Sequence, residues 1–171
     1  MKSNTHRIQS MALALLALTL WVGPLWAQAK PAATQAATQA AAKKGREFFQ
    51  SGKTAMLTGD YATAVTALEK AVAADKTKTS YRLYLARSYR YANKAPKAEA
   101  QLKAILKASP DHVEAGQLLG DIYAKAEDWK NLVAVLEPLL KYRHDYTTYH
   151  LLAEAKYNLD DPIAARSYYQ E

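Results

Sequence analysis

Cysteine is absent from this chain of 171 residues. Its absence excludes disulfides, thiolate metal sites, a cysteine nucleophile and a lipid-anchored N-terminal cysteine. Glycine and proline are scarce, at six each, so a loop-rich fold is not expected. Long runs of one charge are also missing, because Lys and Arg alternate with Asp and Glu along the chain. This pattern is typical of a solvated surface and argues against nucleic acid binding.

The first 29 residues have the order of a secretory signal peptide. Lys2 and Arg7 precede a charge-free stretch over residues 8–29, and Ala27-Gln28-Ala29 forms a small-x-small cleavage site. We expect cleavage after Ala29 and export, with the bacterial periplasm as the location. The rest of the chain then has 21 basic and 16 acidic residues, a balance of +5. The alternative is an uncleaved signal anchor, which would attach the protein to the membrane.

The stretch over residues 30–44 consists of Ala, Thr, Gln and Lys with one Pro. It has nothing larger than Gln to bury apart from the Lys stems, so it cannot offset the entropy of its own ordering. We interpret it as a flexible linker or a frayed helix, and expect the folded domain to occupy residues 45–171.

This domain repeats itself with a step of 33 to 34 residues, which predicts four helical hairpins over about 45–78, 79–112, 113–145 and 146–171. A small residue recurs on each first helix, at Gly52, Ala86, Gly120 and Ala153, where two helices are expected to touch most closely. A large apolar residue recurs on each second helix, at Leu68, Leu102, Leu136 and Tyr169. Between the helices of each hairpin stand turn and cap residues: Gly59-Asp60, Asn93-Lys94, Glu127-Asp128 and Asp160-Asp161. Pro138 should kink or shorten its helix.

These motifs resemble the tetratricopeptide repeat family over residues 45–171. Leu119-Gly120-x-x-Tyr123 is similar to the family's first-helix signature, and the stretch from Gly59 to Ala71 is similar to its second-helix signature. The resemblance implies an all-α fold, a right-handed α-α superhelix of stacked hairpins whose last repeat is incomplete. Ala55 and Lys156 depart from the pattern, since tyrosines occupy their position in the middle repeats.

In this family the first helices line a concave groove that binds peptides or proteins. The residues expected to face the groove form a basic and aromatic wall in the first two repeats and a mixed one in the last two. We expect an extended or helical protein segment of acidic character as the partner. The alternative is that the apolar members pack between repeats and the arginines are solvated. The predicted groove residues are Arg46, Phe49, Lys53, Leu83, Arg87, Arg90, Tyr91, Gln117, Asp121, His150, Glu154 and Tyr157.

Some family members grip chaperone tails through Lys, Asn, Asn, Lys and Arg at set places. Here those places hold Phe49, Lys53, Tyr84, Glu114 and Leu118, so this grip is absent. Enzymatic function is not expected either, because no phosphate loop, nucleophile motif or dinucleotide fingerprint occurs. His112, His144 and His150 lack the spacing of a helical ligand pair. We therefore expect no catalytic residues, no metal and no cofactor.

The C-terminal end of the stack is expected to be apolar, through Ile163, Tyr168 and Tyr169. Terminal repeats usually need a polar outer face, so this end is predicted to dock on a partner or on a second copy of the chain. Two functions follow. The first is an exported adaptor that binds a peptide or protein in its groove. The alternative is a structural subunit of a cell-envelope assembly, such as a pilus, secretion or polysaccharide-export machine, joined through this end.

Overall fold

The computed structural model describes the backbone of residues 25–171 and the side chains of residues 34–171. The chain divides into two compact units, residues 1–41 and residues 42–171. Most of the predicted signal peptide lies outside the described residues, so its cleavage and the resulting export stay predictions. Among the residues that are described, none of the helices combines the length and apolarity needed to cross a membrane.

From residue 25 onwards the chain is helical and contains no strand, which confirms the predicted all-α class. Helices that follow each other in sequence pack against each other, as stacked hairpins require. The helices are α1 (Leu25–Leu57), α2 (Tyr61–Ala74), α3 (Thr79–Tyr91), α4 (Ala95–Ala108), α5 (Val113–Lys125), α6 (Trp129–Leu136), α7 (Tyr146–Asn158) and α8 (Pro162–Gln170).

Residues 30–44, predicted as a flexible linker or frayed helix, belong to α1. The difference has a local cause, because Ala is the strongest helix former and Gln and Lys are close behind it. Most of the described side chains in this stretch are exposed, as expected where nothing is large enough to be buried. The second compact unit begins at Ala42, close to the predicted start at Gly45. The flexibility of the stretch stays a prediction.

Two of the predicted small residues, Gly52 and Gly120, are points of close contact in their hairpins. In the third hairpin, however, the closest approach is made by Gly116, since a Cβ on it would lie nearer to Leu139 than one on Gly120 would lie to Leu136. A Cβ placed on Gly120 would lie 2.9, 3.0 and 3.1 Å from side-chain atoms of Leu136. A Cβ on Gly52 would lie 2.5 Å from Cγ of Leu68. Both leucines are fully buried. The hairpins therefore close by setting a large side chain of the second helix directly on the backbone of the first.

The turns inside the hairpins also follow the prediction. Gly59, Asn93, Glu127 and Asp160 all have positive φ, at 78°, 57°, 53° and 59°. The residue after the turn caps the next helix in three hairpins. Asp60, Asp128 and Asp161 each accept a hydrogen bond from a backbone N–H in the first turn of the helix that follows.

Pro138 shortens its helix as predicted. The α-helical part of α6 ends at Leu136, and residues Glu137–Lys141 continue as a 3₁₀ turn. In the fourth repeat, however, Tyr169 does not take the buried place of the leucines in its column, since 58% of its surface is exposed. Tyr168 packs against the core instead, because only one of two adjacent rings near the end of α8 can point inwards.

One of the two departures on the first helices, Lys156, has a structural reason. The Tyr89 hydroxyl donates to Glu69 on the preceding second helix, and the Tyr123 hydroxyl donates to Glu99 in the equivalent place. Lys156, which replaces the tyrosine, makes the same kind of contact by pairing with Glu137 at 2.8 Å. Each repeat from the second to the fourth is thus tied to the one before it by a donor in one column and a glutamate.

Candidate protein-binding face

The predicted groove residues stand on α1, α3, α5 and α7, and we call the surface they form the first-helix face. Helix α5 contacts both α3 and α7, so these first helices lie side by side. Arg46 is exposed on α1, while Tyr91 and Tyr157 are 52% and 68% exposed on α3 and α7. The face is therefore accessible at both ends of the stack.

An aromatic and basic cluster occupies the start of this face. The Phe49 ring lies 4.7 Å from the Tyr81 ring and 5.1 Å from the Tyr84 ring, the latter edge-on. Lys53 Nζ lies 5.7 Å from the centre of the Phe49 ring and 5.6 Å from that of Tyr84. The Arg87 guanidinium also lies 5.6 Å from Tyr84. The Tyr84 ring thus holds two cations, and such cation–π contacts orient both partners.

The two arginines of α3 that were predicted to face the groove, Arg87 and Arg90, are not free cations, contrary to the expectation of a basic wall. Arg87 pairs with Glu114 of α5, and Arg90 Nη1 lies 3.2 Å from Asp121 Oδ2 on the same helix. The sequence hides these pairs because their members stand 27 and 31 residues apart. The pairs could nevertheless have been suspected from the period, because acidic residues of α5 follow the arginines of α3 by about one repeat step. Among the predicted groove residues, Arg46 and Lys53 of α1 have no ion pair within the part of the chain that the structure describes.

Polar contacts also join α5 to α7, further along the first-helix face. The Gln117 amide donates to Asp145 at 2.9 Å and to Thr148 at 3.2 Å, so α5 is tied to the start of α7. Leu83 differs from the prediction, because it is buried in the core cluster and does not line the face. Phe49 is partly buried against the same cluster. For these two apolar residues, packing between repeats accounts for much of their surface.

The remaining predicted residues give the far half of the face an acidic and aromatic character. Glu154 is half-buried on α7, where Arg87 and Lys53 stand in the earlier repeats. His150 is exposed between two rings, with Tyr146 at 5.7 Å and Tyr169 at 5.9 Å. The first-helix face therefore changes from basic on α1 to acidic on α7, with internally paired charges between them.

The predicted C-terminal docking residues are not equivalent in the structure. Ile163 and Tyr169 are exposed, and Ile163 shows 85% of its surface. Tyr168 is engaged within the chain, since its hydroxyl donates to Glu137 at 3.1 Å. Burial, and then this hydrogen bond to a carboxylate, raise the pKa of Tyr168 to about 12. Tyr168 is therefore part of the repeat packing rather than a free docking residue.

Comparison with known proteins places this architecture. Residues 55–122, which run from the end of α1 into α5 and include the turns at Gly59 and Asn93, match the family model of the tetratricopeptide repeat. The matched part of the chain has the tetratricopeptide repeat, and the described residues have the fold of a tetratricopeptide repeat stack. Among curated protein sequences, none matches this chain.

Solved structures share the tetratricopeptide repeat fold at low sequence identity. The crystal structure of MamA protein is 19% identical, with a TM-score of 0.70 over 75% of this chain and 70% of that one. The first tetratricopeptide repeat domain of Spaghetti (RPAP3), bound to the HSP90 peptide SRMEEVD, is 16% identical, with a TM-score of 0.64 over 70% and 95%. The Arabidopsis OM64 domain is 13% identical, with a TM-score of 0.63 over 69% and 98%.

The histidines of this repeat protein have structural surroundings. His112 caps α5, where its Nδ1 accepts from the Ala115 backbone N–H at 3.2 Å. His144 Nδ1 lies 2.6 Å from the Tyr149 hydroxyl. Within the described residues, no group of three His, Asp or Glu side chains is placed to hold a metal ion. The expected lack of catalysis, metal and cofactor stays a prediction.

Proposed function

We propose that this tetratricopeptide repeat protein is a non-enzymatic interaction module whose first-helix face binds an extended or helical segment of a partner protein. The observation that carries the proposal is the cluster of Phe49, Lys53, Tyr84 and Arg87 on α1 and α3. Rings that are partly exposed and held by neighbouring cations offer apolar contact at little entropic cost. Exposed aromatic and basic residues together are the usual anchors of protein interfaces.

The charges of the face define which part of it suits an acidic partner. Because Arg87 and Arg90 are already paired with Glu114 and Asp121, a partner carboxylate gains most from Lys53 and the exposed Arg46. The acidic character of the partner segment is thus proposed for the α1 end. Towards Glu154 on α7 the same segment would need neutral or basic side chains.

The RPAP3 domain is bound to an HSP90 peptide, which supports the idea that a stack of this shape accommodates an extended peptide. The chemistry proposed for the present chain is different. Glu114 and Leu118 stand where basic residues grip a chaperone tail in the family, and Glu114 pairs with Arg87. A carboxylate-rich tail would meet this acidic side chain, so we propose a partner other than a chaperone tail.

The proposed location is the bacterial periplasm, after removal of residues 1–29. The basic start, the apolar run and the small-x-small site support it, as does the lack of cysteine, which makes folding independent of the redox state. A second candidate function is that of a structural subunit in a cell-envelope assembly. The exposed Ile163 and Tyr169 at the last repeat favour it.

A displayed library of random peptides, selected on the wild-type protein, tests the proposed groove. The recovered peptides should be enriched in Asp or Glu beside an apolar residue. Reversing the charge with Lys53→Glu should weaken the best peptide by about tenfold or more, because attraction to the ammonium becomes repulsion. Affinity is measured by fluorescence anisotropy, and the melting temperature is recorded for every variant.

Lys107→Glu is the matched control, because it makes the same charge change at an exposed position of a second helix. It should leave the affinity unchanged. Equal losses of affinity in both variants would mean that only the net charge of the protein matters, and would contradict a binding site at Lys53. Selection of peptides without acidic residues, or full binding by Lys53→Glu, would contradict the proposed site.

A further inference from the structure

A second aromatic site lies at the other end of the stack, between the start of α7 and the end of α8. It is a cleft of about 160 Å³, which is room for one side chain rather than a long peptide. Four tyrosines and two histidines line it together with an acidic residue at each end. The lining residues are His144, Asp145, Tyr146, Tyr149, His150, Tyr168, Tyr169 and Glu171.

The rings of this cleft form two connected rows. In the first row, the Tyr149 ring lies 6.0 Å from His144 and 6.2 Å from Tyr168. In the second row, His150 lies between Tyr146 and Tyr169. The first row is fixed by hydrogen bonds, since Tyr149 contacts His144 and Tyr168 donates to Glu137. One aromatic wall of the cleft is therefore held in place without a ligand, and the rings of the second row are exposed beside it.

Elsewhere in the described residues, many aromatic rings lie beside a cationic side chain. Seven cation–π contacts occur in the described residues, and all of them involve rings of α1, α3 and α5. For example, Lys97 lies 5.7 Å from the centre of the Tyr89 ring, and Lys103 lies 5.9 Å from that of Tyr123. No cation of the described chain is placed over a tyrosine of α7 or α8. The rings that line this cleft thus have no cation–π partner within the described residues.

The charges around the cleft favour a positively charged occupant. Glu171 has no ion pair within the described residues, and Glu154 on α7 adds further negative charge to this end of the first-helix face. Asp145 is partly compensated, because Arg143 Nε lies 3.5 Å from its Oδ2. That arginine is itself 60% exposed, so it does not fill the cleft. Acidic groups beside aromatic walls repel anions and stabilise a cation between them.

We infer that the aromatic cleft between α7 and α8 binds a cationic side chain, Arg or Lys, presented by a partner protein. The rings supply their negative faces, and Glu171 supplies the counter-charge. A neutral side chain of the same shape gains only apolar contact, so the site selects for charge. The inference uses a different end of the stack from Lys53 and requires a partner segment of the opposite sign.

The probe for this site is N-acetylarginine amide, and its neutral counterpart is N-acetylcitrulline amide, which has the same shape without the charge. Both are titrated into the protein carrying labelled tyrosine, at a pH above the usual titration range of imidazole, and the ring signals are followed by NMR. The arginine probe should shift the Tyr149 and Tyr169 signals saturably, while the citrulline probe should not. Equal shifts with both probes, or no saturable shift with either, would overturn the inference.

Two variants, with one control, test whether the arginine probe binds in the cleft. Tyr169→Leu removes one ring of the cleft, and Tyr142→Leu is its matched control, because both tyrosines are 58% exposed and Tyr142 lies outside the cleft lining. Tyr169→Leu should weaken the arginine probe by about three- to tenfold, as expected for losing one cation–π contact, and Tyr142→Leu should not. Glu171→Gln should weaken it as well without changing any ring. Unchanged binding in both Tyr169→Leu and Glu171→Gln would place the probe elsewhere.

Discussion

The close contact between Gly120 and Leu136 in the third repeat allows a sharp test of the packing, through the substitution Gly120→Ala. The new Cβ would lie 2.9 to 3.1 Å from three atoms of Leu136, whereas comfortable carbon–carbon contact needs roughly 3.5–4.0 Å. Leu136 is fully buried and surrounded by packed side chains. One or both helices must therefore shift by several tenths of an ångström.

Two opposing effects decide the size of the change. Replacing Gly by Ala inside a helix favours folding by about 1 kcal/mol through backbone entropy. Overpacking a well-filled contact costs about 1–3 kcal/mol. We expect Gly120→Ala to lower the free energy of unfolding by roughly 0–2 kcal/mol in the wild-type background, from the difference of these terms.

The companion substitution Leu136→Ala removes the atoms that the new Cβ would meet. By itself it should cost about 2–5 kcal/mol, because it leaves a cavity. In this background Gly120→Ala keeps its helix-forming advantage and loses the clash, so it should stabilise by up to about 1 kcal/mol. Gly120→Ala is thus expected to destabilise the wild type or leave it unchanged, and to stabilise the Leu136→Ala protein.

Urea denaturation followed by far-ultraviolet circular dichroism measures the four proteins of this cycle, provided their m-values agree. Two results would refute the reasoning. One is stabilisation of the wild type by Gly120→Ala as large as that in the Leu136→Ala background. The other is an equal loss in both backgrounds, which would mean that Leu136 does not contact Gly120.

Three further predictions concern the repeats and their contacts. Circular dichroism of the protein should be dominated by α-helix, and a spectrum dominated by strand or coil would contradict the fold. Arg87→Glu should lower the melting temperature by a few degrees because it faces Glu114 with a like charge, and the swapped pair Arg87→Glu with Glu114→Arg should recover most of the loss. Raising the pH from 10 to about 12 should destabilise the last repeat, because the raised pKa of Tyr168 makes its contribution complete below the unfolded value and lost above the folded one. Tyr168→Phe, measured by pH-dependent melting, should make that part of the decline shallower.

The features that repeat along the chain were predictable from the sequence. The period, the small residues at Gly52 and Gly120, the turn at Gly59 and the shortening at Pro138 all depend on local geometry or on contacts within one hairpin. Such contacts join residues close in sequence, so periodicity and residue type are sufficient to find them. For residues 30–44 the sequence left a flexible linker and a frayed helix as alternatives, because their composition satisfies helix propensity without offering anything to bury.

The surfaces of the stack were decided by the tertiary structure. Whether Arg87 meets solvent or Glu114, and whether Tyr168 or Tyr169 turns inwards, depends on how neighbouring hairpins stack, and a period in the sequence does not specify that angle. The cleft between α7 and α8 lies at the fourth hairpin, and its rings come from residues 144–169; the period does not specify which way each of these rings turns. Sequence periodicity thus determined which residues build the stack, because each hairpin closes on itself. The stacking determined which charges are paired, because those contacts cross from one repeat to the next, and the packing of α8 on α7 determined which rings are left open.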